Sequence, residues 1–569
     1  MKEKIKNLIR DALGKLTMEE VDFIIEHPDD LANGDFSSNV AMVCAKNVKI
    51  NPKELAEKIK VEIEKNLPEE IVKVEAISGF LNFYLSRNYF VKSVEEILNK
   101  AGNFGKNDLL EGKRIMVEYT DPNPFKPIHI GHLMTYAIGE SIVRILENSG
   151  AKVSRANYQG DVGLHVAKAI YGLLQNEKLQ SRAGSVGSQA GNIGRAYSLG
   201  AEAYEFDEKT KKEIDELNTK IYKRSDEKIN EIYRWGFDVT MEAFEDLYKT
   251  LGTRFDFYFL ESAMADIGRE IVENNMGKIF EESDNAIVFK AEKYDPKLHT
   301  RVFVTTAGLP TYETKELGLT TEKFKTNPEM DLSITITANE QMDYMRVVTK
   351  AISLIFPELE NKMKHITHGM MRLASGKMGS RKGNVITGEA LLDEVRDTVL
   401  DKITDRGFSP EEEEKVANDV GVAAIKYSIL KQSIGGDIIF DFDKSISFEG
   451  DSGPYLQYSY TRANSVLEKA QKENIIPDFE NVPEEIFELE KLLYKFPRIA
   501  MRAASEYEPH YVANHLVEIA RSFNSFYGNN LIVSKDDQYS PYKVALTYAF
   551  SFVMKNGLHL LGIEAPRKM

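Results

Sequence analysis

Residues 118–140, EYTDPNPFKPIHIGHLMTYAIGE, decide how the chain is read. Just upstream, GKRIMVEYT carries Ile115 and Val117 on one face of a buried strand. Downstream, GHLMTYAIGESIVRILENSG reads as a long helix with Gly150 as its C-terminal cap. AKVSRANYQGD supplies the next strand and turn. Strand, helix and strand within about fifty residues indicate a parallel α/β domain. His129, Gly131 and His132 stand where strand hands over to helix. A helix start offers free N–H groups and partial positive charge, which suits phosphate. Gly131 would let a flat base approach the backbone, and imidazoles can donate to phosphate oxygens. Two other readings stay open at this point: a metal shared by histidines three apart, lacking an evident third ligand, and an ordinary turn.

Working outward, IKNLIRDALGKL places Ile5, Leu8, Ile9, Ala12, Leu13 and Leu16 on one helical face. GDFSSNVAMVCAK and GFLNFYLS then give a small α+β unit, residues 1–105. The parallel α/β domain spans 106–390, interrupted by a helical insertion at about 180–295. Within it SRAGSVGSQAGNIG reads as a flexible glycine-rich linker over 182–196, followed by a charged helical run on a solvated face. A stem occupies 391–450, and 451–569 forms a helical bundle with a stripe at Val512, Leu516, Ile519, Ala520 and Phe523.

The chain has 569 residues, room for several domains, and a net charge of −16 that argues against binding nucleic acid through overall charge. A local basic face remains compatible with one particular nucleic acid. One cysteine, Cys44, excludes a disulfide framework and a cysteine-based structural zinc site, and reads as a small buried side chain. No apolar run reaches membrane-span length, so a cytoplasmic protein with no membrane partner is expected.

A second constellation lies at 374–386, ASGKMGSRKGNVI, glycine-rich and strongly positive. Such a loop can close over a polyphosphate and neutralise a departing pyrophosphate, or be an exposed basic turn. HIGH followed by KMGSR resembles the two signature motifs of class I aminoacyl-tRNA synthetases, and the family it is most similar to is the arginyl-tRNA synthetases. NYQGDVGLH, HITHGMMRLASGKMGSRKGNVI, DSGPYLQYSYTRANSVL, MKNGLHLLGIEAPRKM and the N-terminal GDFSSNVAM with GFLNFYLS extend the resemblance, in order, over nearly the whole chain.

The resemblance implies a Rossmann-type parallel-sheet catalytic domain, an N-terminal α+β domain touching tRNA, and an all-α anticodon-binding bundle. It implies ATP-dependent ligation of L-arginine to tRNA(Arg) through an arginyl-adenylate, with Mg2+ carried by ATP, no structural zinc and a monomer. His129, Gly131, His132, Lys377, Met378 and Ser380 would bind ATP, with Lys126, His129, His132, Lys377 and Arg381 catalytic. The second motif departs from KMSKS by having Ser380 at its fourth position, and Lys126 is placed to supply the missing ammonium. Glu118, Asn123, Tyr312, Glu316 and Gln341 would bind arginine, with Tyr312 beside the Glu316 carboxylate; the family usually has aspartate where Glu316 stands. Arg498, Arg502, Asn514, Arg521, Asn524 and Tyr527 would meet tRNA. A related enzyme selecting lysine, glutamate or cysteine, a small-molecule nucleotidyltransferase and a non-catalytic binding protein are the competing readings.

Overall fold

The computed structural model describes residues 1–28, 30–374, 387–403 and 407–569, in two compact units. One unit combines residues 1–104 with 462–496 and 521–553; the other holds 105–461, 497–520 and 554–569.

In the first unit the N-terminal stripe folds as a helix, Lys2–Lys15, that buries Ile5, Ile9, Ala12 and Leu13. It covers an antiparallel sheet of β1 (Ile25–Glu26), β2 (Phe36–Ser38), β3 (Ile71–Ile77) and β4 (Phe80–Leu85), in the order β1-β2-β4-β3. Ser78 and Gly79 turn the last hairpin with φ of 54° and 91°, the two left-handed residues that match strand twist. Cys44 is buried in this core. Ile486 and Tyr494 pack against the same core, and Arg87 pairs with Glu490 at 2.7 Å. The residues expected to form one C-terminal bundle, 451–569, therefore contribute to both units.

The second unit is built on a five-stranded parallel sheet. Its chain order begins β5 (Arg114–Glu118), β6 (Lys152–Gln159), β7 (Phe257–Leu260). A small antiparallel sheet of β8 (Glu281–Ser283), β9 (Ala286–Phe289) and β10 (Arg301–Val304) comes next. The main sheet is completed by β11 (Leu332–Ala338) and β12 (Met363–His368), and its spatial order is β12-β11-β5-β6-β7. The chain leaves β5 toward β6 on one side and returns as β11 on the other. The crevice beyond the carboxyl end of β5 is thus a topological switch point, the usual ligand position in such sheets. A short parallel pair, β13 (Met371–Leu373) and β14 (Ile438–Phe440), packs against the helix Ile130–Asn148, hereafter the motif helix.

The expected insertion is helical from Val186 to Thr250, in the helices Val186–Phe206, Glu208–Lys223 and Glu227–Thr250, and again over Glu261–Asn274. Between Thr250 and Glu261, β7 rejoins the main sheet, so the segment to 295 is not one helical block. The glycine-rich stretch 182–196 is likewise no linker beyond Ser185, which caps the helix by accepting from the Ser188 N–H. Ala196 at its end packs closely against the helix Leu164–Gln175. A Cβ on Gly172 would overlap the Ala196 carbonyl, and one on Gly200 would overlap the Lys168 carbonyl.

Gly200→Ala should therefore force these helices apart and destabilise the unit by about 1–3 kcal/mol, despite alanine's better helix propensity. Gly187, whose Cβ would meet nothing within 4 Å, should accept alanine without loss. Thermal denaturation midpoints of the two variants check this, and equal midpoints would contradict it.

Candidate active site

After β5 the backbone does not run straight into the motif helix. Thr120, Asp121 and Phe125 adopt φ of 81°, 46° and 67°, left-handed conformations that cost about 1–3 kcal/mol each for non-glycine residues. Neighbours impose them. The Asp121 carboxylate accepts the Tyr158 N–H at 2.7 Å, and Phe125 is fully buried, 5.8 Å from the Tyr233 ring centroid. This loop delivers Lys126 and His129 to the start of the motif helix.

There the two histidines cap the helix reciprocally. His129 Nδ1 accepts the Gly131 N–H at 3.1 Å, and His132 Nδ1 accepts the His129 N–H at 3.2 Å. In a neutral imidazole that leaves Nε2 carrying the proton, so each ring presents an N–H donor away from the helix. The ring centroids lie 3.8 Å apart. A Cβ on Gly131 would sit 2.9 Å from the His129 ring, so the glycine makes room for its neighbour's cap as well as for any ligand. Burial, with His129 nearby, pushes the His132 pKa down to about 3, and burial with the Lys126 charge lowers that of His129. Lys126 is itself lowered by burial and lies 5.3 Å from the Tyr197 ring centroid. Its charge also bears on His165, held at about 4 by burial, whose Nε2 lies 2.8 Å from the Gly160 carbonyl.

Lys377, Met378, Ser380 and Arg381 of the second motif lie outside the described residues. The chain just beyond them is tied to the first motif: the Gly388 N–H donates to the Ile128 carbonyl at 2.8 Å, and Thr387 pairs with His129. Just before them, the Ala374 N–H donates to the Phe440 carbonyl at 2.9 Å. Two segments about 250 residues apart in sequence therefore meet at one helix start.

On the other side of the β5 end, carboxylates collect. Glu118 and Glu316 are 2% and 9% exposed, and Glu118 is ion-paired to Lys323, itself 3% exposed. Tyr344 donates to Glu316 at 3.3 Å. Burial and then the Glu118 charge raise Glu316 to about 7, and the same two causes raise Asp121 well above the carboxylate range. The tyrosine beside Glu316 is thus Tyr344, from the helix Met342–Ile355, rather than Tyr312. Tyr312 opens its own helix, Tyr312–Thr326, 71% exposed and 5.2 Å from the Lys315 ammonium, because a first-turn side chain projects beyond the packed face. Tyr312 lines a cleft of about 500 Å3 with Lys126, His165, Glu261 and Lys315. Asn123 overlooks that wall: its side-chain oxygen occupies the space a Cβ on Gly160 would need. Gln341 is exposed in the turn Asn339–Gln341. Lys323 and Tyr344 carried no periodic or motif signal, although Lys323 lies seven residues from Glu316, two helical turns on, with both side chains buried.

The residues named for tRNA fall into two groups. Arg521, Asn524 and Tyr527 share the end of the helix His510–Asn529 in the first unit, where Arg462 bonds Asn524 and lies 5.1 Å from the Tyr527 ring centroid. Arg498, Arg502 and Asn514 belong to the second unit, and Arg502 donates to Glu506 and to the Tyr511 hydroxyl at 2.9 and 2.8 Å.

This geometry has known counterparts. Residues 93–442 match the family described as tRNA synthetases class I (R), catalytic domain; residues 456–569 match the DALR anticodon binding domain, and 3–85 the arginyl tRNA synthetase N terminal domain. The chain belongs to the class I aminoacyl-tRNA synthetases. Within that class it is a member of the arginyl-tRNA synthetase family. It is 30% identical over 576 residues to the arginine–tRNA ligase of Halothermothrix orenii, covering 100% of this chain and 99% of that protein. To the corresponding ligase of Clostridium perfringens it is 31% identical, covering 97% of each. Among solved structures, Thermus thermophilus arginyl-tRNA synthetase shares the fold at a TM-score of 0.79 with 22% identity, each chain covered completely. Mycobacterium tuberculosis methionyl-tRNA synthetase in complex with methionyl-adenylate shares it at 0.50 with 12% identity, over 79% of this chain and 91% of that one.

His132 should remain neutral, as the Nε2–H tautomer, from about pH 8 down to about pH 5, because its folded pKa lies far below the ordinary value near 6.5. Imidazole 15N chemical shifts report tautomer and charge directly. A protonation step near pH 6.5 assigned to His132 would contradict the capping geometry.

Proposed function

We infer that this chain joins L-arginine to tRNA(Arg) in two steps. The arginine carboxylate oxygen attacks the α-phosphorus of ATP, the bond to the β-phosphate breaks, and pyrophosphate leaves from an arginyl-adenylate. A ribose hydroxyl of the terminal adenosine of tRNA then attacks the arginyl carbonyl, AMP leaves, and the hydroxyl proton is released. The observation that carries this reading is the meeting, at the carboxyl end of β5, of imidazole N–H donors on one side and buried carboxylates on the other. Phosphate and guanidinium are the groups those two sides complement.

The first step needs little proton transfer, so positioning and charge stabilisation carry it. His129 and His132 donate through Nε2 to phosphate oxygens, and Gly131 lies under the adenine. Lys126 supplies the ammonium that Ser380 does not, with Lys377 and Arg381 completing the neutralisation, Met378 and Ser380 lining the nucleotide, and Mg2+ arriving with ATP. Partial desolvation of Lys126 strengthens its pull on a developing anion. Glu118 and Asn123 hold the amino-acid end of arginine, Glu316 takes the guanidinium with Tyr344 beside it, Tyr312 lines the neighbouring cleft, and Gln341 closes the substrate side. A planar, permanently charged guanidinium makes two parallel bonds to a carboxylate that a lysine ammonium cannot. Residues 1–105 and the polar groups Arg498, Arg502, Asn514, Arg521, Asn524 and Tyr527 of the helical part serve tRNA. A monomer working in the cytoplasm completes the reading; among the described residues no helix is long and apolar enough to cross a membrane.

Purified protein with arginine, Mg-ATP and tRNA should yield arginyl-tRNA, and charging of another amino acid instead would overturn the reading. Lys126→Ala should slow adenylate formation about 100-fold while leaving arginine affinity near normal, the loss expected for one transition-state donor. Glu316→Gln should raise the arginine KM about 30-fold or more, as expected when one partner of a buried charged contact is removed. Single-turnover adenylation and arginine titrations separate the two effects, and normal kinetics in either variant removes that residue from its role.

A further inference from the structure

The acid set at the end of β5 contains one buried cation that the reaction itself does not require. Lys323 sits on the helix Tyr312–Thr326, two turns after Glu316, and is 3% exposed. Its ammonium is paired with Glu118 and lies 3.4 Å from the Thr335 hydroxyl on β11. One side chain thus ties together the helix that carries Glu316, the strand that carries Glu118, and the neighbouring strand. Burying an ammonium is costly unless nearby charge compensates it, and here the Glu118 carboxylate does. Glu118 touches it, and its charge also reaches Asp121 and Glu316.

We propose that Lys323 is a positioning residue for arginine: its ammonium holds Glu118 in place and favours the ionised form of Glu316 for a guanidinium. This rests on the arginine reading above and names a residue which that reading leaves out. Lys323 does not touch the substrate; it acts through Glu118 and Glu316.

The groups facing this cluster are few. Glu118 comes from β5, Asp121 from the loop after it, Tyr158 from β6, Tyr344 from the helix Met342–Ile355, and Glu261, paired with Lys315, from the helix Glu261–Asn274. Against three carboxylates, with Glu261 already matched by Lys315, Lys323 is the cation that offsets the rest. With Lys323 present, the set still takes up a proton around neutrality, because burial and Glu118 hold Glu316 near 7. Arginine binds the ionised form, so its KM falls as pH rises through about 7. Removing the ammonium raises the Glu316 pKa further and moves this transition to higher pH.

The test follows arginine KM, ATP KM and kcat in aminoacylation from about pH 6 to about pH 9. In Lys323→Gln the arginine transition should move up by about one pH unit, with arginine KM at neutral pH about fivefold higher. The ATP KM and the kcat at saturating arginine should change little, and Lys323→Arg should restore the profile. Should Lys323→Gln fail to fold, Glu118→Gln is compared with Glu118→Gln/Lys323→Met, neither of which leaves Glu118 as an unpaired anion. Loss of the ammonium in the second should again move the transition upward relative to the first. An unmoved transition in both comparisons, with losses confined to melting temperature or shared equally by ATP and arginine, would make Lys323 merely structural and overturn the proposal. A wild-type protein that charges arginine under the same conditions keeps such a failure separate from failure of the functional reading itself.

Discussion

The carboxylate of Glu140 fixes the motif helix, and everything at the site depends on where that helix points. It is 2% exposed and accepts from the Tyr119 hydroxyl and the Thr253 hydroxyl, both at 2.8 Å, from Arg144 at 2.7 Å and from Arg155 at 3.0 Å. Burial alone would raise its pKa, but Arg155 and Arg144 outweigh burial and hold it at about 2. Gly139 permits this arrangement, since a Cβ there would overlap the Tyr119 ring. The same helix is fastened on its other flank. Ser141 donates to the Leu560 carbonyl at 2.8 Å, and Lys426 donates to the Leu251 and Gly562 carbonyls at 2.6 Å each. A helix so held can present its first turn to a ligand without moving when the ligand arrives, which is what electrostatic preorganisation requires.

The middle and the start of the helix are treated oppositely. Around Glu140 the charges are matched inside the protein. At the helix start they are left unmatched: both histidines are kept neutral, Lys126 is partly desolvated, and the acids beyond β5 outnumber their cation. Buried charge without a partner is unfavourable, so a site built this way favours a ligand with anionic groups toward the donor side and a cationic group toward the acid side. The left-handed Thr120, Asp121 and Phe125 show the same economy, strained backbone tolerated where function fixes the loop.

Much of this was legible in the sequence. The apolar stripe at Ile5, Ile9, Ala12 and Leu13 and the alternation about β4 have periods that identify helix and strand on their own. The glycine-rich run at 182–196 was misread because its composition matches a linker, while its packing depends on Gly172 in a different helix. The β7 strand was hidden inside a helical insertion because four residues carry too little period to register. Tyr344 and Lys323 were invisible because a buried polar residue at an arbitrary distance in sequence has no local signature. Tyr312 was placed beside Glu316 by helical spacing, which fixes a face but not how far a first-turn side chain reaches into the core.

The sequence by itself determined the class of fold, through short-range periods, and the first turn of the motif helix, because HIGH is contiguous and its residues cap their own helix. Tertiary structure decided the rest. Only it joins Ile128 and His129 to Gly388 and Thr387, sets Glu118 against Lys323, and puts Tyr344 in reach of Glu316. The physical reason is range. Capping and amphipathic periodicity act over a few residues, whereas pairing a buried charge depends on which strand ends and helix faces the folded chain brings together.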